Sequence, residues 1–436
     1  MSIWLWIIAA WGISYGVLDK KKVRFEHLIW LLLPVDMYGI AVAGVTVKPY
    51  MLFCLLLFCR MLLKRRLTIT VKSRWSLLGG GIVLACIVVN MFNTQAVSSL
   101  VRAVMPLVVW GCSLIYLNDC ESGVEEGISE AVLAAGVGYG LVFVLGYLLT
   151  ILNLHVPGIL AADRAQPGFF MRFGNMYQNK LIQAIRLRGF TIDPNTMIGT
   201  FLFCSLAALL RLARGQGGGK EVLGVILSGL CVILSNSRMG MLCFGAIVIG
   251  SVIVGYNMGN TRARNIIKGL LLASLAALIL VCATDLIPDA IKTLLSLYAN
   301  RSGLNDEYGR FTIWENAVAV LWERNVLFGI GMGQMQYFTA MGRACHNTWL
   351  EMLCAWGILA GGAGVIYFGA MIVNGFRYAL RGKHAKTDAF AWTMVLGTLG
   401  VMISLITVDN VTYSYLWFGA AVVAALSAGS WKGKKT

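Results

Sequence analysis

Charge is scarce in this sequence. Asp, Glu, Lys and Arg make up 13% of the 436 residues, whereas hydrophobic residues make up 58%. A soluble globular domain carries about 25% charged residues, so this composition excludes that class and is typical of a polytopic membrane protein. No segment has the composition of a separate soluble domain, and we therefore expect residues 1–436 to form a single integral membrane domain.

Several kinds of site are excluded by what is missing. The sequence has no P-loop and no zinc-type spacing of Cys and His, and it has only 4 histidines. Asp306 and Glu307 form an isolated acidic pair, so we expect no metal site. Most of the 11 cysteines lie within apolar runs, where cysteine acts as a small hydrophobic residue. Cys345 is the one we assign to an outer loop, and we expect no disulfide framework.

Long apolar runs are what the sequence does have. They recur from end to end with lengths of roughly 17–25 residues, and each can cross a hydrocarbon core of about 30 Å. The pattern predicts an all-α, polytopic integral membrane protein with about 12–13 transmembrane helices. The predicted helices are residues 2–18, 28–46, 49–63, 75–92, 97–117, 129–152, 194–211, 221–235, 238–256, 266–286, 347–376, 388–408 and 411–429.

The loops between these helices divide into a strongly basic side and a less basic side. The basic side carries 23 of the 36 Lys and Arg residues, which makes it cytoplasmic by the positive-inside rule. The other side has two longer extracytoplasmic loops, about 153–193 and 287–345, which hold most of the remaining basic residues. Their clustering favours an anionic ligand on the outer face, although contact with water or lipid headgroups explains any single arginine equally well.

The second outer loop contains a helical stripe. Its apolar residues recur at i, i+3, i+4, i+7 and i+8, and they are Trp314, Ala317, Val318, Leu321 and Trp322. Such a helix can lie flat at the membrane interface with its tryptophans at headgroup depth, or it can pack as a lid on the membrane helices. The stripe fits both arrangements.

Three predicted helices start on the outer side in similar ways. One follows Asp193, a suitable N-cap. The next begins at Arg238 with Ser235 or Ser237 as its cap, and the third begins within "RACHNTW". Each turns the positive end of its dipole toward the outer face beside an arginine, which suits a phosphate group if the three ends converge. Ordinary caps would give the same pattern at any single helix.

Two residues of the third helix start could carry chemistry. Histidine in general titrates near neutrality, so His346 can act as a general base or acid, or it can be only a polar anchor at the interface. Glu351 follows it inside an apolar run, where a carboxylate is costly unless it is paired or hydrated. Glu351 can pair with an outer-loop arginine, bind a sugar hydroxyl or form a structural ion pair.

These residues resemble a known family. The segment "HNTWLEMLCAWGILAG" is similar to a motif of the O-antigen ligase and Wzy-type O-antigen polymerase superfamily, with His346, Asn347, Gly357 and Gly361 in register. "RGFTIDPNTMIG" and "LSNSRMGML" resemble its Asp-Pro-Asn and Ser-Arg blocks, and "GRFTIWENAVAVLWERNVLFGIGMGQM" resembles its outer-loop segment. The resemblance covers about residues 185–365, and the histidine block is its most specific part.

The resemblance implies a membrane-embedded glycosyltransferase whose donor is a glycan on undecaprenyl pyrophosphate. It implies no cofactor, metal or nucleotide sugar. Carried over by position, it makes His346 the base that activates the acceptor hydroxyl, and it makes Arg188, Arg238 and Arg310 the pyrophosphate contacts. The remaining candidates for substrate binding are Arg343, by proximity alone, and Asn195, Asn347 and Glu351.

Three functions stay open at this point. We favour a polymerase of lipid-linked polysaccharide repeat units, acting on the extracytoplasmic face of a bacterial cytoplasmic membrane. The alternative within the superfamily is a ligase that moves a finished glycan to another acceptor. A transporter or flippase of an anionic lipid-linked sugar is the alternative of another class, but it would place polar groups near the bilayer midplane. Expected partners are the lipid-linked donor and acceptor, membrane lipids and a chain-length regulator protein, with no nucleic acid.

Overall fold

The computed structural model describes residues 3–42, 45–63, 74–93, 97–114, 124–151, 171–173, 185–258, 265, 268, 310–339, 342, 344–381 and 388–427. Helices dominate these residues, and the described strands form two short antiparallel hairpins. The hairpins are β1 (Ile40–Val42) with β2 (Val45–Val47) and β3 (Met171–Phe173) with β4 (Ile185–Leu187). The α-helices are α1 (Ile3–Val17), α2 (Pro49–Leu63), α3 (Arg74–Asn93), α4 (Val97–Ser113), α5 (Val124–Ile151), α6 (Pro194–Ala213), α7 (Gly219–Leu234), α8 (Arg238–Met258), α9 (Arg310–Arg324), α10 (Met335–Phe338), α11 (Thr348–Trp356), α12 (Gly362–Arg381), α13 (Ala389–Ser404) and α14 (Ser414–Ser427).

The fold is that of an all-α polytopic membrane protein, as the composition predicts. Within the described residues, 5 helical segments are long and apolar enough to cross a membrane. They are Val124–Leu149, Pro194–Ala213, Arg238–Tyr256, Thr348–Leu380 and Ala389–Thr407. Shorter apolar helices accompany them, among them α1, α2 and α14. The predicted helix at 266–286 lies outside the described residues, so the total of 12–13 stays a prediction.

Helix α6 is the central helix of the bundle. It packs against α5, α7, α8 and α13, and 83% of its membrane-spanning window is buried within the protein. A helix that is apolar on all sides is typical of such a fully surrounded position. The residues that begin α6 are therefore held in place by the whole bundle.

The prediction of a membrane helix at 28–46 is wrong. The chain instead forms a 3₁₀ helix from Phe25–Leu31 and then reaches the hairpin of β1 and β2. Pro34 lacks the N–H that a continuing helix would use. Asp36, two residues later, has a buried carboxylate that forms an ion pair with Lys48. The prediction relied on the hydrophobicity of the segment and gave no weight to Pro34 and Asp36, the two residues that disfavour a membrane helix there.

The prediction of one continuous helix at 347–376 is also wrong in detail. The helix is interrupted between α11 and α12 by a π-helical turn, Gly357–Gly361. The chain that follows α9 fits into this interruption. The N–H groups of Ile330 and Gly331 donate to the carbonyls of Cys354 and Ala355 at 2.8 and 3.0 Å. The outer segment is thereby joined by its backbone to the interrupted membrane helix.

The predicted amphipathic helix is confirmed as α9, but its buried stripe differs from the expected one. Ile313, Ala317 and Leu321 are buried. Trp322, which the pattern placed in the stripe, is 73% exposed. The buried face packs on α11, as a lid would. Whether its other face reaches lipid headgroups stays a prediction.

Gly357 makes the close approach between the two segments possible. Its φ is +70°, a left-handed value that L residues rarely adopt, and a Cβ atom there would lie 2.1 Å from the carbonyl oxygen of Leu327. We predict that Gly357→Ala lowers the stability of the purified protein by about 1–3 kcal/mol, because it adds backbone strain and separates the docked segments. The midpoint of thermal unfolding in nanodiscs, followed by intrinsic fluorescence, measures the change.

Gly369→Ala is the matched control for this substitution. Gly369 lies in α12, and a Cβ atom there would meet nothing within 4 Å. The control should leave the unfolding midpoint unchanged or raise it slightly, because alanine favours the helix. Equal midpoints for the two variants would contradict the role assigned to Gly357.

Candidate functional site

The N-termini of α6 and α8 meet at one end of the bundle. Asp193 caps α6 by accepting a hydrogen bond from the Asn195 N–H at 2.8 Å. Ser237 caps α8, since its hydroxyl accepts from the Gly240 N–H at 3.0 Å. The same hydroxyl donates to the side-chain oxygen of Asn195 at 2.5 Å. Two of the three expected helix starts are thus joined by one side-chain hydrogen bond.

The N-terminus of α11 lies at the same end. Asn347 caps it, and its side-chain oxygen accepts from the N–H groups of Trp349 and Leu350 at 3.0 and 3.2 Å. The chain between α13 and α14 connects this cap to α6. The Thr348 hydroxyl accepts from the Asn410 N–H at 3.0 Å, and the nearby Tyr413 hydroxyl donates to a carbonyl in the first turn of α6. The three helix starts thus lie at one end of the bundle, with α6 and α8 in direct contact and α11 connected to α6 through the chain between α13 and α14.

Arg188 lies in the turn that leads into α6. Its side chain is 1% exposed, and it hydrogen-bonds the hydroxyl of Tyr38. The Thr191 hydroxyl donates to the Arg188 carbonyl at 2.7 Å, which fixes the backbone of the turn. A guanidinium held in this way has a defined position beside the α6 N-terminus.

Two further arginines lie at the start of α8. Arg238 is its first residue, is partly exposed and directly follows the Ser237 cap. Arg186 donates from Nε to the carbonyl of Ser235 at 3.0 Å and so ties β4 to the end of α7. The sequence had identified Arg186 only as one of several outer basic residues.

Arg310 and His346 are connected through a tryptophan. Arg310 begins α9, and Trp314 follows one helical turn later, a rise of about 6 Å. The indole N–H of Trp314 donates to the carbonyl of Cys345 at 3.1 Å. Cys345 directly precedes His346, which is exposed and has a left-handed φ of +49°. The structure therefore brings Arg310 toward His346, whereas Arg343 lies outside the described residues.

Glu351 contacts the glycine-rich turn that follows α9. The carboxylate is buried, and one oxygen accepts from the Gly333 N–H at 3.1 Å. This contact holds the turn against α11, a structural task that differs from the three roles left open by the sequence. Asn195 and Asn347 likewise use their side-chain oxygens within the protein, in the link to Ser237 and in the cap of α11. Their part in substrate binding stays a prediction.

Cys345 is fully buried although it lies beside an exposed histidine. A hydrogen bond to Cys354 and burial raise the pKa of the Cys345 thiol, so the thiol stays protonated. It is a poor target for thiol reagents even where the surrounding loop is accessible. Among the residues that the structure describes, no group of three His, Cys, Asp or Glu side chains could hold a metal ion.

Sequence reasoning missed four polar residues next to the site. They are Asp36, Tyr38, Lys48 and Asn410, which contact one another, the Arg188 turn or the start of α11. One sequence signal could have revealed the first of them. Asp36 is an acidic residue two positions after a proline in a run assigned to the membrane, and such residues are rare there unless paired.

The fold and the site define a polytopic membrane protein with three helix N-termini and their arginines at one end. Residues 223–366 match the family model described as O-antigen ligase. This segment, about a third of the chain, is therefore similar to the O-antigen ligase/polymerase type of domain, a family of glycosyltransferase-like enzymes acting on lipid-linked glycans. The matched segment includes Arg238, Arg310, His346 and Gly357. No curated protein matches the chain.

The hydrogen bond between Ser237 and Asn195 should stabilise the arrangement measurably. We predict that Ser237→Ala costs about 1–2 kcal/mol, because it removes both the α8 cap and the contact with α6. Asn195→Ala combined with it in a double-mutant cycle should give a coupling energy of about 0.5 kcal/mol or more. Denaturation of the purified variants supplies the values.

Ser251→Ala is the control for this cycle. Ser251 is also buried in α8, but its hydroxyl donates to Val248 of the same helix at 2.8 Å. Its removal should cost less than the removal of the Ser237 hydroxyl and should not couple to Asn195. Strict additivity of Ser237→Ala and Asn195→Ala would show that the two helix starts are held together by other contacts.

Proposed function

We propose that the protein is a polymerase of polysaccharide repeat units carried on undecaprenyl pyrophosphate. The observation that carries this proposal is the convergence of three helix N-termini, with Arg188 and Arg238 beside two of them, at the end that also holds His346. Helix N-termini and guanidinium groups suit pyrophosphate, and a histidine suits proton transfer from a sugar hydroxyl.

The arginines account for the departure of the leaving group. During transfer, the bond between the anomeric carbon and the pyrophosphate oxygen breaks, and negative charge grows on that oxygen. Donors fixed in advance stabilise this charge without reorganisation at the moment of reaction. Arg188 is fully buried, and its turn is fixed by hydrogen bonds and packing, so it would contribute fixed positive charge beside the α6 N-terminus. The partly exposed Arg238 would meet the leaving group directly. Arg310, carried by α9, would approach from the lid side.

His346 accounts for the attack by the acceptor. Its ring would take the proton of the acceptor hydroxyl while that oxygen forms the new bond to the anomeric carbon. The products are then the elongated glycan and undecaprenyl pyrophosphate, with the proton on His346 until it passes to solvent. An exposed histidine at the start of α11 can meet a substrate that arrives from the membrane boundary.

The reacting end would face the outside of a bacterial cytoplasmic membrane. The support for this orientation is the excess of basic residues on the opposite side of the sequence-predicted topology, 23 of 36. The metal-free mechanism follows from the same proposal, since arginines and helix dipoles supply the charge stabilisation that a metal would otherwise supply.

A ligase is the second candidate function. The description of the matching family as O-antigen ligase favours it. The two activities use the same donor chemistry and differ in the acceptor. A polymerase joins the growing glycan to another lipid-linked unit, whereas a ligase moves the finished glycan onto a different molecule.

The products separate the two activities. Purified protein in nanodiscs, supplied with lipid-linked repeat units as both donor and acceptor, should produce a ladder of lipid-linked glycans spaced by one repeat unit. Gel electrophoresis and mass spectrometry would follow the ladder. If glycan is transferred only after a separate, non-polyprenyl acceptor is added, the protein is a ligase and the polymerase proposal is wrong.

Substitutions at the site should reduce transfer without unfolding the protein. We predict that His346→Ala lowers kcat by about 10²–10⁴-fold, the usual contribution of a general base. Arg188→Ala, Arg238→Ala and Arg310→Ala should each weaken use of the donor, and lysine should rescue only partly because it lacks the guanidinium fork. Initial rates at several donor concentrations give kcat and KM.

Arg324→Ala serves as the control for the arginine variants. Arg324 ends the same helix that Arg310 begins, and it stacks over Phe338 at 5.0 Å. Its removal should leave the kinetic constants near those of the wild type. Wild-type turnover by His346→Ala would exclude its role as base, and full activity in all three arginine variants would exclude the pyrophosphate site.

A further inference from the structure

A buried ion pair lies beneath the site and has no role in the chemistry described above. The Asp36 carboxylate and the Lys48 ammonium are 2.5 Å apart, with side-chain exposures of 3% and 11%. A buried ion pair is weak evidence for stability, because removing two charges from water offsets most of their attraction. The contacts of this pair with the rest of the protein indicate a different use.

The backbone beside Asp36 rests on the turn that carries Arg188. The N–H groups of Asp36 and Met37 both donate to the carbonyl of Phe190, at 3.1 and 3.0 Å. Tyr38 continues the contact, since its hydroxyl bonds the Arg188 side chain and its ring meets that of Phe190 edge-on at 6.3 Å. The position of Arg188 therefore depends on the position of this segment.

The side chain of Asp36 reaches toward the other half of the site. Its second oxygen accepts a long hydrogen bond, 3.4 Å, from the side-chain amide of Asn410. The Asn410 N–H donates to the hydroxyl of Thr348 at 3.0 Å. Thr348 is fully buried, begins α11 and lies two residues after His346. A continuous series of contacts thus connects the Arg188 turn to the start of the helix beside His346.

We propose that Asp36, held by Lys48, is a positioning residue that keeps the Arg188 turn in register with the helix start next to His346. The inference rests on the proposed function, because register between these two elements matters only if one binds the leaving group and the other activates the acceptor. A displacement of about 1 Å between groups that act on the same bond can lower catalysis by about 10²-fold.

A second buried ion pair, part of a small ionic network at the opposite end of the bundle, provides the control. Glu130 is fully buried and pairs with Arg211 at 2.7 Å and with Lys220, and Arg211 also pairs with Glu221 at 3.3 Å. It also accepts from the Asp19 N–H at 2.9 Å, so it joins the end of α6 to α5 and to the chain after α1. This pair is remote from the three helix N-termini, and its loss should affect folding without a specific effect on turnover.

The test compares neutral replacements of both pairs. Asp36→Asn with Lys48→Met removes both charges and leaves no unpaired ion, so the variant should fold. We expect its kcat to fall by roughly 10–100-fold for the folded fraction, with a smaller change in the KM of the lipid-linked donor. Lys48→Arg keeps the pair and should retain most of the wild-type kcat. Glu130→Gln with Arg211→Met also takes these counter-ions from Lys220 and Glu221, so it should lower the unfolding midpoint, but it should not lower the kcat of the folded protein.

The outcomes separate this inference from the proposed function. If wild-type protein transfers glycan and the Asp36/Lys48 variant has a wild-type kcat, the positioning role is wrong and the proposed function stands. If the Asp36/Lys48 variant loses activity only in proportion to its loss of folded protein, as expected of the Glu130/Arg211 control, the positioning role is also wrong. If the wild-type protein transfers no lipid-linked glycan, both proposals fail together.

Asn410→Ala keeps the test decisive if the double variant does not fold. It removes the amide that meets Asp36 but leaves the ion pair and the backbone bond to Thr348 intact. A fall in kcat of roughly tenfold supports the positioning role, and an unchanged kcat overturns it.

Discussion

The hydrogen bond from Ser237 to Asn195 joins two helix N-termini that electrostatics alone would keep apart. Each N-terminus carries about half a positive charge, so three such ends at one place repel one another. Only Asp193 among their caps brings a negative charge, while Arg188 and Arg238 add positive charge. Packing of the central helix α6 holds the ends together, and the surplus of positive charge is what an anionic ligand would offset.

The interruption of the helix after Trp356 explains why an outer segment can be part of such a site. Carbonyls freed at the interruption accept from the chain after α9, so backbone hydrogen bonds join the lid segment to α11. Gly357 permits the approach through its φ of +70° and its missing side chain. Gly357, one of the glycines that fit the superfamily motif, thus has a structural role at this close approach. The approach at Gly357 keeps the segment that follows α9, the helix that Arg310 begins, against the helix that begins just after His346.

Local features of the site could be predicted from the sequence, and long-range features could not. The predicted cap of α6, Asp193, is present, and of the two candidates for the cap of α8 the structure uses Ser237. The start of α11 was predicted within "RACHNTW" without a named cap, which is Asn347. The segment at 28–46 was misread because hydrophobicity outweighed one proline and one acidic residue. The contact of Asp36 with Asn410 joins residues 374 apart in the chain, and no local pattern encodes it. The buried face of α9 was misplaced because the residues that cover it come from α11, from the segment just before it and from the chain that follows α9.

Binding of polyprenyl lipids tests the central claim most directly, because it needs neither turnover nor an acceptor. Native mass spectrometry of the purified protein can compare undecaprenyl pyrophosphate, undecaprenyl phosphate and undecaprenol, which differ only in the headgroup. If the three helix N-termini and their arginines form a pyrophosphate site, affinity should fall in that order, and Arg238→Ala should reduce the preference for pyrophosphate. Equal affinity for the three lipids, unchanged in Arg238→Ala, would contradict the account.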